Sequence, residues 1–254
     1  MNDSTQRFSS RVENYVKYRP GYPAAVVDFL KSECQLVPAH TIADVGSGTG
    51  KLTELFLQNG NRVIGIEPNK EMREAAERLL SAYPRFQSIA ATAEATTLPD
   101  HSVDMITAGQ AFHWFDRQKA RQEFLHILKP AGWVVLIWND RKTDASLFLA
   151  AYEEFLQTYG TDYLAVNHKN VDAEMIGSFF GAGGFKRATF PNEQIFDLGG
   201  LQGRLLSSSY APEAGHPKHV PMLEALGAIF HQHAVNGKVR LECDTVIYYG
   251  RLSA

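Results

Sequence analysis

The 254-residue chain is predicted to form a doubly wound α/β sheet, and two patterns in its sequence carry that prediction. Short, nearly continuous apolar runs recur along the first half, as expected of strands buried on both faces of a parallel sheet. Amphipathic segments with apolar residues three and four positions apart lie between those runs and indicate crossover helices. With 44% hydrophobic and 21% charged residues, the chain has the composition of a globular protein with a sizeable core.

Five strands alternate with helices in the first half. The strands are expected at 41–45, 61–66, 87–91, 103–108 and 133–138. The spacing of Met72, Ala75, Ala76 and Leu79 predicts a helix with Asn69 as its N-cap. Another helix contains Arg121 to Leu128 and is expected to stop at Pro130.

The second half predicts a different arrangement. Helices are expected at 147–156 and 175–180, and strands at 190–198 and 239–250. Apolar and charged residues alternate along the last strand, as in a strand with one exposed face. Because about forty mostly helical or loop residues separate the two strands, they are expected to form an antiparallel edge hairpin that carries a lid.

Composition and charge exclude several classes of partner. With 25 Lys and Arg against 28 Asp and Glu, the formal net charge is −3, which disfavours nucleic acid. No apolar run is long enough to span a bilayer, and the first residues do not resemble a signal peptide, so no membrane is expected. The only cysteines, Cys34 and Cys243, suit a reducing compartment. The sequence therefore predicts a cytoplasmic protein; it does not indicate whether the protein is a monomer or a homodimer.

A glycine-rich turn and an acidic residue form the strongest local pattern. Residues Asp44 to Gly50 follow the first strand and precede a helix, and Glu67 ends the second strand. Glycines let a ligand approach the backbone closely, and an acid at this position accepts hydrogen bonds from ribose hydroxyls. A dinucleotide fingerprint would need glycine where Lys51 stands, and a Walker loop would need serine or threonine at Leu52. The pattern suits a cofactor with a ribose and no pyrophosphate.

These motifs resemble those of the class I S-adenosylmethionine-dependent methyltransferases. The likeness rests on Asp44 to Gly50, Glu67, Ala93-Glu94 with Leu98-Pro99, and Val103-Asp104, and it is closest to the ubiquinone-biosynthesis and trans-aconitate enzymes. The trans-aconitate-like marks are Phe8-Ser9, Tyr15, Tyr18 to Pro23 and Gln110 to Asp116. The resemblance implies a Rossmann-like, mostly parallel seven-stranded sheet with an antiparallel last strand and a helical lid. It also implies S-adenosyl-L-methionine as cofactor and a small-molecule acceptor.

The resemblance places the cofactor against residues from several loops. Glu67 would bind the ribose, Pro68 and Met72 would flank the adenine, and the methionine end would lie beside Gln110. The residues it implies for cofactor binding are Tyr18, Arg19, Gly46, Ser47, Gly48, Glu67, Pro68, Met72, Thr92, Ala93, Glu94, Gln110 and Ala111. Many family members carry aspartate where this chain has Thr92.

A single methyltransferase domain is expected to fill the chain. Its core would comprise about residues 36–140, 172–198 and 238–254. An N-terminal cap at 8–30 and a substrate lid at about 141–171 and 199–237 would complete it.

Several residues are candidates for acceptor binding and for a catalytic base. His113 follows a parallel strand and is a candidate base or pocket residue. Tyr15, Trp114, Arg204 and Tyr210 are candidate substrate-binding residues. A carboxylate acceptor needs no base but would need a cation or hydroxyl clamp, for which Arg19, Arg187, Arg204 and Tyr210 are the candidates. A phenol, amine or carbon acceptor would favour His113 as base.

The same residues bear on three other interpretations. No metal is expected, since His231 and His233 do not share a helix face and His216 and His219 lack acids or cysteines at ligand spacing. A nicotinamide-dependent oxidoreductase is disfavoured by the missing third glycine. A non-catalytic cofactor-binding protein is the remaining alternative.

Overall fold

A seven-stranded sheet forms the centre of the computed structural model, which describes residues 9–164 and 171–253. Its strands are β1 (Thr41–Val45), β2 (Arg62–Ile66), β3 (Phe86–Ile89), β4 (Val103–Gly109), β5 (Leu128–Arg141), β6 (Lys186–Phe196) and β7 (Val239–Gly250). The helices are α1 (Val12–Tyr18), α2 (Ala25–Cys34), α3 (Lys51–Gln58), α4 (Lys70–Leu79), α5 (Arg117–Ile127), α6 (Leu147–Tyr159), α7 (Ala173–Phe180), α8 (Leu198–Leu206) and α9 (His219–His233). Short 3₁₀ turns lie at Ser9–Arg11, Phe112–Trp114 and Gly181–Gly183.

The strand order is β3-β2-β1-β4-β5-β7-β6. Neighbours from β3 to β5 pair in parallel, whereas β7 runs antiparallel to both β5 and β6. The predicted fold class is confirmed, including the antiparallel last strand. The hairpin of β6 and β7 lies at one edge of the sheet, and its connecting segment holds α8 and α9.

Most elements lie within about three residues of their predicted bounds, and three differences concern where an element begins or ends. β5 begins at Leu128 and β6 at Lys186, each earlier than its apolar run indicates. Helix α5 ends at Ile127, before the proline that was expected to stop it. Because β6 is an edge strand, most of its side chains stay at least partly in contact with solvent, so its polar beginning carries no hydrophobic signal.

Helices cover both faces of the sheet. Buried side chains of α2 and α3 pack on one face, and those of α5 and α7 pack on the other. A third cluster joins α6, α8 and α9 to the start of β7, so these helices share a core beside the sheet. They lie within the predicted lid. Its residues 165–170 and the cap residue Phe8 are outside the described residues.

Side-chain caps fix where several helices begin. The Asn69 side chain accepts a hydrogen bond from the Met72 amide at 2.8 Å, which confirms the predicted N-cap of α4. Asp116, Ser146, Asp172 and Asp197 cap α5, α6, α7 and α8 in the same way. Across residues 9–164 and 171–253, none of the helices has the length and hydropathy to cross a bilayer.

Candidate active site

The site lies where β1 and β4 are neighbours and the chain reverses its direction of winding. Loops that leave the carboxyl ends of adjacent strands diverge at such a point and leave a crevice for ligands. The loops after β1, β2 and β4 carry Gly46, Glu67 and Gln110, respectively.

The loop after β1 has a conformation that only glycine adopts readily. Gly46, Gly48 and Gly50 have φ values of +70°, +56° and +85°. A Cβ atom on Gly46 would lie 2.4 Å from the Cβ atom of Ala111, so the loop after β4 packs directly on this backbone. The glycines therefore give both the turn and the close approach between the two loops.

Asp44 holds the strand below this loop. Its carboxylate accepts hydrogen bonds from the Thr53 hydroxyl at 2.6 Å and from the Thr107 hydroxyl at 3.0 Å. The side chain is fully buried, and this desolvation raises the pKa of Asp44 to about 6, although both hydrogen bonds oppose the shift. One carboxylate thus links β1, α3 and β4.

Glu67 reaches the loop from the end of β2. Its two carboxylate oxygens accept hydrogen bonds from the amides of Gly48 at 2.8 Å and Asn69 at 2.9 Å. Burial raises the pKa of Glu67 against the effect of these bonds. Since each carboxylate oxygen has a second lone pair, the group retains capacity to accept hydroxyl donors from a ligand.

Two adjoining cavities open over these loops. The first, called the Glu67 pocket, is lined by Tyr15, Gly46, Gly48, Glu67, Pro68, Asn69, Met72, Thr92, Ala93, Glu94, Gly109, Gln110, Ala111, Trp114 and Phe115. The second, called the Arg204 pocket, is lined by Tyr15, Arg19, Pro20, Tyr22, Asp44, Gly46, Ser47, Thr49, Lys51, Leu52, Gly109, Gln110, Asn139, Asp140, Arg141, Tyr163, Arg204 and Tyr210.

Four residues belong to both cavities and mark their junction. They are Tyr15, Gly46, Gly109 and Gln110. Gln110 has a φ of +58°, a left-handed conformation that is costly for a residue with a Cβ atom. Its side-chain amide donates to the Asn139 carbonyl at 3.4 Å, and its backbone amide donates to the Ile137 carbonyl at 2.8 Å. The strained residue is therefore held from β5 at the point where the two cavities meet.

The Arg204 pocket is rich in cations. Arg19 comes from the end of α1, Arg141 from the end of β5 and Arg204 from α8. Desolvation, with a smaller contribution from the nearby charge of Arg19, lowers the pKa of Arg204 to about 10. Guanidinium groups at this density suit a ligand that carries negative charge.

The structure places most of the predicted cofactor residues on the Glu67 pocket. The exceptions are Tyr18, Arg19 and Ser47. Tyr18 lines neither pocket, because its ring packs against α8 at Gly203. Arg19 and Ser47 line the Arg204 pocket instead. Thr92 lines the Glu67 pocket and is itself exposed to solvent. A carboxylate oxygen of Glu94 accepts a hydrogen bond from the Asp116 amide at 2.8 Å.

The predicted acceptor residues divide in the same manner. Tyr15, Arg204 and Tyr210 line the Arg204 pocket, whereas Trp114 lines only the Glu67 pocket. His113 lines neither; its ring packs beside that of Trp114, with 4.8 Å between the centroids. Arg187 is exposed on β6 and lies over the Tyr248 ring at 5.9 Å, which corrects its prediction as a clamp residue.

Sequence reasoning missed Arg141 as a site residue. A carboxylate oxygen of Glu153 accepts from its Nη2 atom, and the Tyr163 hydroxyl lies 2.9 Å from the same nitrogen. A cation at the carboxyl end of the predicted strand 133–138 was the available signal. Tyr163 comes from the chain after α6 and had no comparable signal. Among the described residues, no group of three or more His, Cys, Asp or Glu is placed to hold a metal ion.

Residues 43–136, which contain the loops of the Glu67 pocket, match a protein-family model described as a methyltransferase domain. Over these residues the chain is therefore similar to methyltransferase domains. The match contains the glycine loop, Glu67 and Gln110, but not the arginines of the second cavity.

Known proteins with similar sequences bear methyltransferase names. An uncharacterized methyltransferase of Mycobacterium tuberculosis is 36% identical over 139 residues, which cover 55% of this chain and 54% of that protein. A putative methyltransferase of Dictyostelium discoideum is 29% identical over 176 residues, covering 67% of this chain and 64% of that protein. The chain thus spans about half the length of the first of these relatives.

Solved structures share the fold at low sequence identity. A putative type II methyltransferase from Anaeromyxobacter dehalogenans superposes with a TM-score of 0.68 and 21% identity, covering 92% of this chain and 98% of that one. A Haemonchus contortus phosphoethanolamine N-methyltransferase, solved with phosphomonomethylethanolamine and S-adenosylhomocysteine, gives a TM-score of 0.55 at 12% identity. It covers 99% of this chain and 59% of that one.

Proposed function

We propose that the chain transfers a methyl group from S-adenosyl-L-methionine to a carboxylate oxygen of a small-molecule acceptor. The observation that carries this proposal is the junction of the two cavities at Gln110. One cavity has an acidic residue at the end of β2 and apolar walls; the other has three guanidinium groups. A cofactor in the first and an anion in the second would meet at that junction.

The Glu67 pocket fits the cofactor by the chemistry of its lining. Glu67 would accept the ribose hydroxyls, Pro68 and Met72 would contact the adenine, and the backbone of Ala93 would contact its edge. Gln110 and Ala111 would lie beside the methionine end. When bound, the cofactor supplies a sulfonium whose methyl group is electrophilic. The role of the protein is to hold the acceptor in line and to exclude water.

The Arg204 pocket supports a carboxylate acceptor. A carboxylate is ionised near neutral pH, so the reaction needs no general base. This agrees with the position of His113 outside both cavities. Guanidinium groups bind carboxylates through charge-assisted hydrogen bonds, which would orient the acceptor. The alternative, a phenol, amine or carbon acceptor assisted by His113, gains no support from this placement.

A methyl-transfer assay tests the proposal directly. Purified protein would be incubated with S-adenosylmethionine labelled in its methyl group and with panels of small carboxylates, phenols and amines. We expect labelled methyl esters from the carboxylate panel and no transfer by the Arg204→Met variant. Transfer only to phenols or amines would overturn the carboxylate part. Calorimetry that detects no binding of S-adenosylmethionine or S-adenosylhomocysteine would overturn the whole proposal.

A further inference from the structure

The three arginines of the Arg204 pocket differ in how their charge is balanced. Arg141 forms an ion pair with Glu153 and also lies beside the Tyr163 hydroxyl. Within residues 9–164 and 171–253, neither Arg19 nor Arg204 forms an ion pair with a carboxylate. Among the residues that the structure describes, two guanidinium charges of the pocket are therefore not compensated by an ion pair.

Each of the three arginines of the Arg204 pocket has a buried side-chain nitrogen that has no hydrogen-bond partner in the described part of the protein. The atoms are Nε of Arg19, Nε of Arg204 and Nη1 of Arg141. Buried polar atoms are nearly always hydrogen-bonded, and a charged donor is costly to leave unpaired. Three such donors from three different elements around one cavity indicate an acceptor group that completes them.

Arg19 and Arg204 also belong to separate parts of the chain. Arg19 follows α1 at the end of residues 9–19, which we call the N-terminal segment, and its Nη2 atom donates to the Ser207 carbonyl at 3.0 Å. Arg204 lies one turn earlier on α8, and its Nη1 atom is 3.3 Å from the Ser208 hydroxyl. The two like charges repel each other while the hydrogen bond to Ser207 holds their elements together.

Asp44, an acidic residue of the same cavity, is occupied by other donors. It lines the cavity from the sheet, but its oxygens accept from Thr53 and Thr107. An oxyanion, in contrast, offers several acceptor oxygens at once, as the forked guanidinium donors require.

We propose that an oxyanion binds between Arg19 and Arg204 and supplies the counter-charge that holds the N-terminal segment onto α8. The binding chemistry is that of a carboxylate or a phosphate group, with Arg141 as a third donor fixed by Glu153. Assignment of this anion to the acceptor rests on the proposed function. Binding of the anion itself does not require methyl transfer.

Thermal unfolding of the 254-residue chain with inorganic sulfate as the probe tests this site. Sodium chloride at matched ionic strength corrects for screening. We expect sulfate to raise Tm in a saturable manner and the Arg204→Met variant to lose this response. Because hydrogen bonds to a charged group contribute strongly, the affinity for sulfate should fall about tenfold or more. Arg19→Met is the second variant, should Arg204→Met fold poorly.

Arg187→Met is the matched control, since Arg187 is an exposed arginine outside the cavity. It should retain the full response to sulfate. An equal loss in this control, or equal stabilisation by chloride, would overturn the site. Hydrogen exchange gives a second readout: sulfate should slow exchange in residues 9–19 and 198–211, and unchanged exchange in both segments would overturn the bridging role.

Acetate and inorganic phosphate, used as probes in the same thermal-unfolding experiment, distinguish a carboxylate ligand from a phosphate ligand. A rise in Tm with acetate supports a carboxylate ligand. Protection by phosphate alone would retain the anion site but overturn the carboxylate acceptor of the proposed function. S-adenosylhomocysteine, titrated in parallel, should still bind to Arg204→Met. Failure of cofactor binding in the wild-type protein is thus separable from failure of the anion site.

Discussion

Glu67 links two loops before any ligand arrives. Its carboxylate accepts from the amide of Gly48 in the loop after β1 and from the amide of Asn69 at the start of α4. Both loops line the Glu67 pocket. The residue that the sequence assigns to ribose binding therefore also shapes the cavity that would receive the ribose.

Removal of this carboxylate should weaken cofactor binding. Glu67→Ala removes an acceptor for ribose hydroxyls and leaves two backbone amides without their partner. Since a hydrogen bond to a charged group contributes about 1.5–3 kcal/mol, calorimetry should show S-adenosylhomocysteine affinity reduced by about tenfold or more. Glu74→Ala, on the exposed side of α4, is the control and should bind normally. Unchanged affinity in Glu67→Ala would contradict the ribose role.

Asp44 should make stability depend on pH in a defined direction. Its pKa is raised from 3.8 to about 6, so the native state binds this proton more tightly than the unfolded state does. Its contribution to the free energy of unfolding is therefore fully present below about pH 4 and is lost as the pH rises through about 6. The shift corresponds to about 3 kcal/mol.

Urea unfolding of the wild type and Asp44→Asn, compared from pH 4.5 to 7, isolates this contribution. Asparagine can still accept from one threonine hydroxyl and lacks the titration. The wild-type free energy of unfolding, minus that of the variant, should fall across this range. A difference that stays constant with pH would show that Asp44 is ionised without penalty in the native state.

At the scale of elements, the contact between α1 and α8 depends on one glycine. A Cβ atom on Gly203 would lie 2.0 Å from the ring of Tyr18, so alanine there would displace this ring from its contact with α8. On the same helix, a Cβ atom on Gly199 would have its nearest neighbour at 3.8 Å. The two glycines thus give a matched pair of positions.

Gly203→Ala should lower Tm and increase proteolysis within residues 9–19. Gly199→Ala should leave Tm unchanged or raise it, because alanine is favoured over glycine in a helix by about 1 kcal/mol. Equal Tm values for the two variants would show that the packing of α1 on α8 contributes nothing to stability.

Elements with a local signal could be predicted from the sequence, and those defined by tertiary contacts could not. Strands β1 and β7 match their predicted bounds because apolar runs or strict alternation mark them. The beginning of β6 is polar, so its pairing with β7 alone reveals it. At the site, the glycine loop after one strand and Glu67 at the end of the next strand could be predicted, because their positions relative to the two strands form a recognisable pattern. The positions of Tyr18, which lines neither pocket, and of Trp114, which lines only the Glu67 pocket, depend on packing between distant segments and carry no such pattern.

At the scale of the whole molecule, the N-terminal residues Ser9 and Arg11 join α4 to the chain that follows α8. The Ser9 hydroxyl donates to Glu71 on α4 at 2.8 Å. The buried Arg11 side chain donates from Nη1 to the Ser208 carbonyl and from Nη2 to the Ala211 carbonyl, both at 2.7 Å. Ser9 and Arg11 thus fasten α4 to the chain that follows α8, two parts whose contact residues Glu71 and Ser208 are 137 positions apart.

Arg11→Met should destabilise this fastening. The variant leaves the carbonyls of Ser208 and Ala211 without their charged donors. We therefore expect the free energy of unfolding to fall by about 2–4 kcal/mol. Hydrogen exchange should accelerate at residues 206–211. Arg62→Met removes an exposed arginine from β2 and serves as the control. Similar exchange in both variants would contradict a role for Arg11 in holding residues 206–211 in place.

The register of β6 and β7 has one more consequence. Phe196 and Val239 face each other in the ladder, so residues 197–238 leave and re-enter the sheet at adjacent positions. Residues 197–238, which we call the cassette, could therefore change in length without a change in the register of the two strands. Arg204 and Tyr210 belong to the cassette, whereas Glu67 and Gln110 do not. Under the proposed function, acceptor choice can therefore diverge by replacement of a single gene segment while cofactor use is inherited unchanged.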